Sequence, residues 1–391
     1  MSKSEPARAV DLDQPAPDPL TAPPIPMVVV SANTSWNILN FRMGLINALQ
    51  NKSYRVIVIA PEDEYSAALI RQGIDFRALA IDRSGLSPIA DFMLFTRYFR
   101  MLRALRPDAL LSFTIKPNIY GSLAARLLGI KVVNNISGLG TAFIRGGLLA
   151  ALVQRLYRIA LKRSATVFFQ NGDDLALFTN NKLVRTGQAR LLPGSGIDLD
   201  HFTAAQTSDG HDRPFRFLMI ARLLWDKGIQ EYVDAARIVR ASDAAVRFQL
   251  LGPIDRGNRT AVPREQIDQW SGEGLIDYLG TSDDVRPSIG QADCIVLPSY
   301  REGLPRSLLE GSAMAKPLIA TRVPGVRDVV ADGETGLLCE VRNVRSLADA
   351  MIIMCRLPAD ARKSMGLAGR RKIESEFSQE LVIERYLTAL A

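Results

Sequence analysis

The sequence predicts an α/β protein built of two doubly wound parallel sheets, one in each half of the chain. Short apolar, β-branched runs recur along its 391 residues, and longer segments with helical periodicity separate them. A segment rich in Gly, Asp, Ser and Pro divides this series near residues 194–213. Strands that alternate with helices favour parallel sheets, and the length suits two domains.

The strands follow from their composition. In the first half they are predicted at 27–32, 54–60, 108–113, 131–136 and 165–171, with weaker ones at 76–81 and 189–192. In the second half they are predicted at 215–221, 246–252, 275–280, 293–299 and 317–321. We therefore expect one domain at 27–200 and another at 201–391, with the last helix packing back on the first domain.

The first 26 residues differ from the rest, because they contain seven prolines, four acids and few large apolar side chains. This composition is typical of disorder, and the segment lacks the pattern of a secretory signal. No apolar run approaches the ~18 residues that would span a bilayer. The three cysteines have no metal-ligand or redox spacing, so we expect buried thiols.

Positive charge is concentrated in the first half. Residues 1–200 carry a net charge of +8 and residues 201–391 a net charge of −1. Between Ala109 and Gly172 there are eight Lys or Arg residues and no acid. Such a surface suits an anionic partner, although a solvated basic face is the simpler alternative.

Several kinds of chemistry are disfavoured. The only histidines are His201 and His211, both near the predicted linker, so catalysis by a general-base histidine or a histidine-bound metal is not expected. The first strand runs into "SANTSWNILNFR" rather than a Gly-x-Gly-x-x-Gly turn, and no P-loop motif occurs. The sequence therefore disfavours a dinucleotide-dependent oxidoreductase and a P-loop nucleotidase.

The second half brings together groups suited to a nucleotide sugar. Arg222 and Lys227 follow a strand and precede a helix that opens near Gly228, which makes a candidate diphosphate site. In "SYREGLPRSLLEG", Glu302 lies in the exit loop of a strand and Glu310 lies inside the helix that follows. The two carboxylates could bind hydroxyls at opposite ends of one extended ligand. The alternatives are solvated loop charges and acids that interact with a helix dipole.

These motifs resemble family 4 glycosyltransferases of the GT-B fold. The matching segments are "ARLLWDKG", "YLGTSDDV", "PGSGIDLDHF" and the long segment that contains "YREGLPRSLLEG". In the first half, "ILNFRMGLINAL", "IDRSGLSPIADF" and "SFTIKPNIYGSLAARLLGIKVVNNISGLGTAF" resemble the branch that extends polyprenyl-diphosphate-linked oligosaccharides, which includes N-acetylgalactosaminyltransferases.

The resemblance implies a retaining transfer from a nucleotide sugar, with a UDP-sugar favoured, to a polyprenyl-diphosphate saccharide. It implies no dedicated metal, no other cofactor and no protein base, because the leaving phosphate takes the acceptor proton. It implies catalytic roles for Arg222, Lys227 and Glu302. The implied donor-binding residues are Gly303, Leu304, Glu310, Gly280 and Thr281. The implied acceptor-side residues are Arg42, Lys116, Asn118, Ser137 and Gly138.

Three departures from the family pattern stand out. Ser137-Gly138 replaces a frequent His-Gly, "NTSWNILNFR" replaces a glycine-rich loop, and Ala315-Lys316 replaces a glycine after the helix of Glu310. The first two put sugar and donor contacts in doubt, including those between Asn33 and Asn37. The third predicts a minor change in the turn.

A lipid-linked acceptor implies a peripheral protein at the cytoplasmic face of an anionic membrane. Two basic amphipathic patterns, 91–106 and 146–163, could lie in such an interface. The alternative for both is that the apolar faces simply pack on the sheet. The two interpretations coexist in the second pattern if the arginines face lipid while Leu148, Leu152, Leu156 and Ile159 face the core. The candidate membrane-facing residues are Arg155, Arg158, Lys162 and Arg163.

Three other functions compete with this one. A nucleotide-sugar epimerase of the same architecture would need acid–base groups that this histidine-poor chain lacks. A noncatalytic nucleotide-sugar-binding subunit of a polysaccharide assembly complex is the main alternative, although the set of site residues is intact. A nucleic-acid partner would explain the charge but not the two carboxylates, so none is expected.

Overall fold

The computed structural model describes residues 25–82, 87–138, 147–204, 213–242, 245–255, 258 and 260–391. Most of the N-terminal segment predicted to be disordered, part of the predicted linker, and His211 lie outside this part of the chain. None of the helices within these ranges is both long enough and apolar enough to span a membrane.

Seven parallel strands form the first sheet. They are β1 (Met27–Ser31), β2 (Arg55–Ala60), β3 (Asp75–Ala78), β4 (Ala109–Phe113), β5 (Lys131–Ile136), β6 (Thr166–Phe169) and β7 (Ala189–Leu191). Their spatial order is β3-β2-β1-β4-β5-β6-β7. All five residues of β4 are buried, as expected for a central strand covered on both faces.

Helices cover both faces of this sheet. They are α1 (Ser35–Phe41), α2 (Met43–Asn51), α3 (Ser66–Arg71), α4 (Pro88–Leu105), α5 (Ser122–Leu127), α6 (Gly147–Ala160) and α7 (Gly172–Asn180). A π-helical turn (Pro117–Gly121) leads into α5, and 3₁₀ turns occur at Leu161–Arg163 and Thr186–Gln188. Because side chains alternate along a strand, Val29 packs under α4, α5 and α6, while Val28 and Val30 pack under α1 and α2. We call this sheet with its helices the first domain.

Six parallel strands form the second sheet. They are β8 (Phe215–Ile220), β9 (Val246–Leu251), β10 (Asp277–Tyr278), β11 (Cys294–Leu297), β12 (Leu318–Thr321) and β13 (Gly336–Cys339), in the order β10-β9-β8-β11-β12-β13. The prediction of two doubly wound parallel sheets is confirmed. Edge strand β13 was missed, because four residues that start with glycine give little periodicity. Edge strand β10 has two residues rather than the six predicted.

The second sheet is also covered by helices. They are α8 (Ile229–Ser242), α9 (Arg264–Gly272), α10 (Arg286–Gln291), α11 (Arg306–Ala313), α12 (Val326–Val329), α13 (Val344–Arg356) and α14 (Ala359–Glu376). A 3₁₀ turn (Trp225–Lys227) precedes α8. We call this sheet with these helices the second domain.

The last helix, α15 (Gln379–Leu390), packs on the first domain. Its Tyr386 ring is fully buried against Phe113 and Phe168, and the Tyr386 hydroxyl accepts a hydrogen bond of 2.7 Å from the Asn135 amide. The two segments that connect the domains run side by side. The Ile197 N–H donates to Phe377 O, and the Gln379 N–H donates to Ile197 O. The connection between the domains is therefore a hydrogen-bonded pair of crossings.

Candidate active site

Each sheet has one point at which the strand order reverses, and several of the predicted site residues lie there. In the second sheet the chain leaves β8 toward β9 on one side, while β11 pairs with β8 on the other. In the first sheet the same holds for β1 and β4. Ligands of doubly wound proteins bind beyond the carboxyl ends of strands at such points.

The loop after β8 brings Lys227 to Glu302. Their side chains form an ion pair of 2.6 Å and are only 17% and 13% exposed. Gly228 permits this approach because it has no Cβ, which in any other residue would lie 2.1 Å from Pro298 O. Its left-handed φ of 76° also favours glycine. The two loops at the switch point are thus packed backbone to backbone, and they hold an ammonium and a carboxylate together.

Arg222 lies in the same loop but is loosely held. Its side chain is 58% exposed, and its guanidinium is 3.5 Å from the Asp255 carboxylate. An exposed guanidinium with a weak partner can move toward a bound anion at little cost. The structure therefore places one part-buried, paired cation and one exposed cation in the loop that precedes the N-terminus of α8.

Glu310 forms a buried ion pair with Arg306. The Arg306 Nε lies 2.7 Å from Oε1 of Glu310, one helical turn away on α11. Burial raises the pKa of Glu310 above its ordinary value of 4.5, and the Arg306 charge opposes this effect. Glu310 is therefore held in a low-dielectric site beside one fixed cation.

Arg306 also joins α11 to the connection between the domains. Its Nη1 donates to Ser195 Oγ at 2.7 Å and to Gly196 O at 3.2 Å, and its guanidinium lies 5.0 Å from the Phe41 ring centroid. The sequence analysis missed this residue, although its spacing of four from Glu310 could have indicated the pair. Pro305 occupies the N-cap of α11.

The remaining donor-side candidates fall into two groups. Gly303 lies against the first domain, where a Cβ would be 2.5 Å from Ser137 O, and Leu304 packs on Gly194. Gly280 and Thr281 follow the edge strand β10, two strands away from β8. The first group is therefore at the switch point, and the second lies toward the edge of the sheet.

A cavity of about 280 Å³ faces this site from the first domain. It is lined by Asn33, Asp82, Thr114, Ile115, Lys116, Ser137 and Gly138. Three of the predicted acceptor-side residues, Lys116, Ser137 and Gly138, are among them. Lys116 forms a part-buried ion pair of 3.1 Å with Asp91 at the start of α4. The cavity lining thus combines polar side chains with a larger apolar surface, and it lies at the switch point of the first sheet.

Thr114 is a residue of this cavity that the sequence analysis missed. Its φ of 68° is left-handed, which is strained for a β-branched residue. Its hydroxyl oxygen accepts a hydrogen bond of 3.2 Å from the Asn33 N–H, which ties the loop after β4 to the loop after β1. The only sequence signal for it is its position immediately after β4.

Two predicted acceptor-side residues lie outside the cavity lining. Arg42 is 3% exposed and its guanidinium lies 4.0 Å from the Phe113 ring centroid, so burial lowers its pKa to about 10. Asn118 is buried under the sheet, where its amide donates to Asn135 O at 2.8 Å. Both side chains are enclosed by protein, so neither presents a free face to the cavity, and their acceptor-side role stays a prediction.

The basic helix α6 is oriented differently from the prediction. Arg155, Arg158, Lys162 and Arg163 are exposed, although Arg158 donates hydrogen bonds to the carbonyls of Asn181 and Lys182. Leu152 and Ile159 are 49% and 44% exposed rather than packed on the sheet. Val153 and Tyr157 form the buried face, Leu156 packs partly buried against the same core as predicted, and the side chain of Leu148 is not among those described. The exposed face of α6 therefore mixes leucine and isoleucine with cations.

Two family models match the chain. The model described as "Glycosyl transferase 4-like" matches residues 28–171, and the one described as "Glycosyl transferases group 1" matches residues 214–356. One covers the core of the first domain and the other that of the second. Together with two facing Rossmann-like sheets, these matches show that the chain belongs to the family 4 glycosyltransferases of the GT-B fold. It is a glycosyltransferase enzyme.

The chain is similar over most of its length to two bacterial transferases. It is 28% identical to the N,N'-diacetylbacillosaminyl-diphospho-undecaprenol alpha-1,3-N-acetylgalactosaminyltransferase of Campylobacter jejuni, over 90% of this chain and 94% of that protein. It is 22% identical to the UDP-Gal:alpha-D-GlcNAc-diphosphoundecaprenol alpha-1,3-galactosyltransferase of Escherichia coli, over 79% of this chain and 85% of that protein.

Solved structures share the fold. Anabaena Alr3699/HepE in complex with UDP-glucose superposes with a TM-score of 0.76 at 16% identity, covering 93% of this chain and 99% of that one. A glycosyltransferase from Rickettsia africae gives a TM-score of 0.74 at 18% identity, covering 93% and 97%. At these identities the likeness concerns the fold alone.

Proposed function

We propose that this protein is a retaining glycosyltransferase that moves a hexose or an N-acetylhexosamine from a UDP-sugar to a polyprenyl-diphosphate-linked saccharide. One observation carries the proposal: the Lys227–Glu302 pair and buried Glu310 lie at the switch point of one sheet, opposite a cavity with polar side chains at the switch point of the other. The names of the Campylobacter and Escherichia relatives describe transfer to saccharides on diphospho-undecaprenol. The Escherichia relative's name gives a UDP-sugar donor, and the Anabaena structure contains UDP-glucose.

In this proposal the second domain binds the donor. The diphosphate lies between Lys227, exposed Arg222 and the N-terminus of α8, whose free N–H groups donate hydrogen bonds to its oxygens. Glu302 binds hydroxyls of the donor sugar and keeps Lys227 oriented, as the 2.6 Å ion pair indicates. Glu310 accepts hydrogen bonds from the ribose, close to Arg306.

The transfer itself needs no base from the protein. The bond between the anomeric carbon and the phosphate oxygen breaks while the acceptor oxygen bonds to the same face of that carbon. The acceptor hydroxyl proton passes to the leaving phosphate oxygen, so that UDP leaves with the electron pair. Arg222 and Lys227 stabilise the charge that grows on the diphosphate, so no metal ion and no other cofactor is required.

The first domain would bind the acceptor and approach the membrane. Lys116 and Ser137 of the cavity offer donors to the saccharide or its diphosphate. The exposed cations of α6 and the apolar side chains among them suit the interface of an anionic bilayer. We therefore propose a peripheral protein at the cytoplasmic face of the membrane, active in the synthesis of cell-surface polysaccharide or glycan.

The test is an activity screen. Purified protein is incubated with UDP- and GDP-sugars and with short polyprenyl-diphosphate saccharides, with and without EDTA, and products are detected by mass spectrometry. We expect one UDP-sugar to be transferred with retention of configuration, in EDTA as well. Lys227→Ala should slow turnover more than it weakens UDP binding, because charge on the leaving group is greatest in the transition state.

Three outcomes would contradict parts of this proposal. Binding of UDP without turnover on any acceptor would favour a noncatalytic nucleotide-sugar-binding subunit. An inverted product would exclude the retaining mechanism. Loss of activity in EDTA that Mg²⁺ restores would show that the two cations do not replace a metal.

A further inference from the structure

The loop that carries Glu302 is bound to the first domain on both sides of this residue. On one side, Arg301 Nη2 lies 2.5 Å from Oδ1 of Asp174. On the other side, Gly303 O accepts a hydrogen bond of 2.8 Å from the Asn171 amide. Asn171 and Asp174 belong to the start of α7 in the first domain, so both contacts cross the cleft.

The first of these contacts is well shielded. The Asp174 side chain is 1% exposed, whereas that of Arg301 is 29% exposed. A carboxylate buried to this degree needs a positive partner, because removal of one member of such a pair leaves an uncompensated charge. Arg301 supplies that partner from the second domain. The pair can form only while the cleft is closed around the Glu302 loop.

Local structure in the first domain prepares this contact. Asn171 is the N-cap of α7, and its Oδ1 accepts a hydrogen bond of 2.8 Å from the Asp174 N–H. The same amide donates to Asp174 Oδ2 and to Gly303 O. The capping interaction therefore holds both groups that reach across the cleft.

Backbone packing leaves little room for the loop to move while these contacts persist. A Cβ at Gly303 would lie 2.5 Å from Ser137 O in the first domain. A Cβ at Gly325, where φ is 78°, would lie 2.3 Å from Gly303 O. The loop is thus enclosed between two backbone segments, and only its flanking residues are bonded to the opposite domain.

We propose that Asp174, Arg301 and Asn171 form a latch that holds Glu302 in place only when the cleft is closed. They are positioning residues, since none of them needs to touch the substrate. Closure orders the loop, which presents Glu302 to Lys227 and to the donor sugar. Opening breaks the ion pair, frees the loop and releases the product. The effect on turnover rests on the proposed function, whereas the coupling of the loop to closure does not.

A second ion pair between the domains provides a matched control. Arg327 on α12 lies 2.6 Å from Asp173, and both side chains are well exposed. This pair also joins α7 to the second domain, but it is not on the Glu302 loop. Arg327→Gln therefore removes a contact across the cleft without touching the latch.

The experiment measures hydrogen exchange of the backbone amides of residues 300–304. The variants are Asp174→Asn, Arg301→Gln, the two combined, and Arg327→Gln as control. We expect each single latch variant to exchange about tenfold faster in this segment, and the double variant no more than about tenfold faster, because both changes remove one interaction. Arg301→Lys should stay within about threefold of the parent, and Arg327→Gln within about twofold.

UDP binding and turnover complete the test. Latch variants should bind UDP within about twofold of the parent, because the proposed UDP contacts lie in the second domain, while kcat falls about tenfold. Failure of the parent to bind UDP would overturn the proposed function but not the loop coupling. Three results would overturn the latch. They are unchanged hydrogen exchange of residues 300–304 in the single variants, additive increases of the exchange rate in the double variant, and an increase in Arg327→Gln equal to that in the latch variants. If Asp174→Asn fails to fold, the Arg301 variants decide the test, because the Arg301 side chain is less buried than that of Asp174.

Discussion

Replacement of Glu310 by glutamine tests how the nucleotide is bound. The change removes a negative charge but keeps the size of the side chain, so Arg306 retains its contacts with Ser195 and Gly196. We expect UDP affinity to fall, because an ionised carboxylate can accept hydrogen bonds from both ribose hydroxyls. The single amide oxygen of glutamine keeps only one of these hydrogen bonds, and without the negative charge. The variant should still fold, since the glutamine amide oxygen can accept from Arg306 in place of the carboxylate and the Arg306 side chain is 23% exposed.

The magnitude follows from the chemistry of the pair. A hydrogen bond to a charged group contributes about 1.5–3 kcal/mol, and one such bond is lost in Glu310→Gln. This corresponds to a Kd for UDP that is roughly 10- to 150-fold higher. Glu310→Ala should weaken binding at least as much, because it also removes the side-chain oxygen that accepts from Arg306 and would accept from the ribose.

Isothermal titration calorimetry with UDP provides the measurement. The control is Glu374→Gln, which changes a second Arg–Glu pair with the same spacing of four: the Arg370 Nε lies 2.6 Å from Glu374 on α14. The control should leave the Kd unchanged. If folded Glu310→Gln bound UDP as tightly as the parent, Glu310 would be only a structural helix acid that balances Arg306.

Three further predictions concern pH, stability and the membrane. Because burial raises the pKa of Glu310 above 4.5, UDP affinity should begin to fall at a higher pH than for an exposed glutamate, and Glu310→Gln should abolish this dependence in calorimetric titrations. The same raised pKa destabilises the fold at neutral pH, and the penalty is relieved as the pH falls through the folded-state value. Ala315→Gly should raise the free energy of unfolding by about 0.5 kcal/mol in denaturant titrations. Ala315 has a left-handed φ of 57°, and removal of this backbone strain should outweigh the extra conformational entropy that glycine gives the unfolded chain. A lower free energy of unfolding would mean that packing of the buried methyl group dominates. Replacement of four cations by Glu should release the protein from anionic vesicles at low salt and leave UDP binding intact. The four are Arg155, Arg158, Lys162 and Arg163. Continued co-sedimentation of this variant with the vesicles would assign membrane contact to another surface.

The sequence by itself determined the fold class and most of the strands. Buried parallel strands such as 109–113 are continuous apolar runs, and local composition is enough to detect them. It also placed Lys227, Glu302 and Glu310 near one site, because loops after parallel strands meet at one edge of a sheet. The helix that carries Glu310 was predicted for the same local reason.

Only the tertiary structure decided which polar groups meet. Asp174 and Arg301 are 127 residues apart, and neither residue carries a local signal of the other. The enclosure of Arg42 and Asn118 depends on packing between elements, which periodicity does not report. The buried face of α6 was likewise decided by its neighbours: Val153 and Tyr157 fit against the core, and Leu152 and Ile159 were left in solvent. An amphipathic pattern with apolar residues on two faces has more than one way to pack, and only contacts distant in sequence select between them.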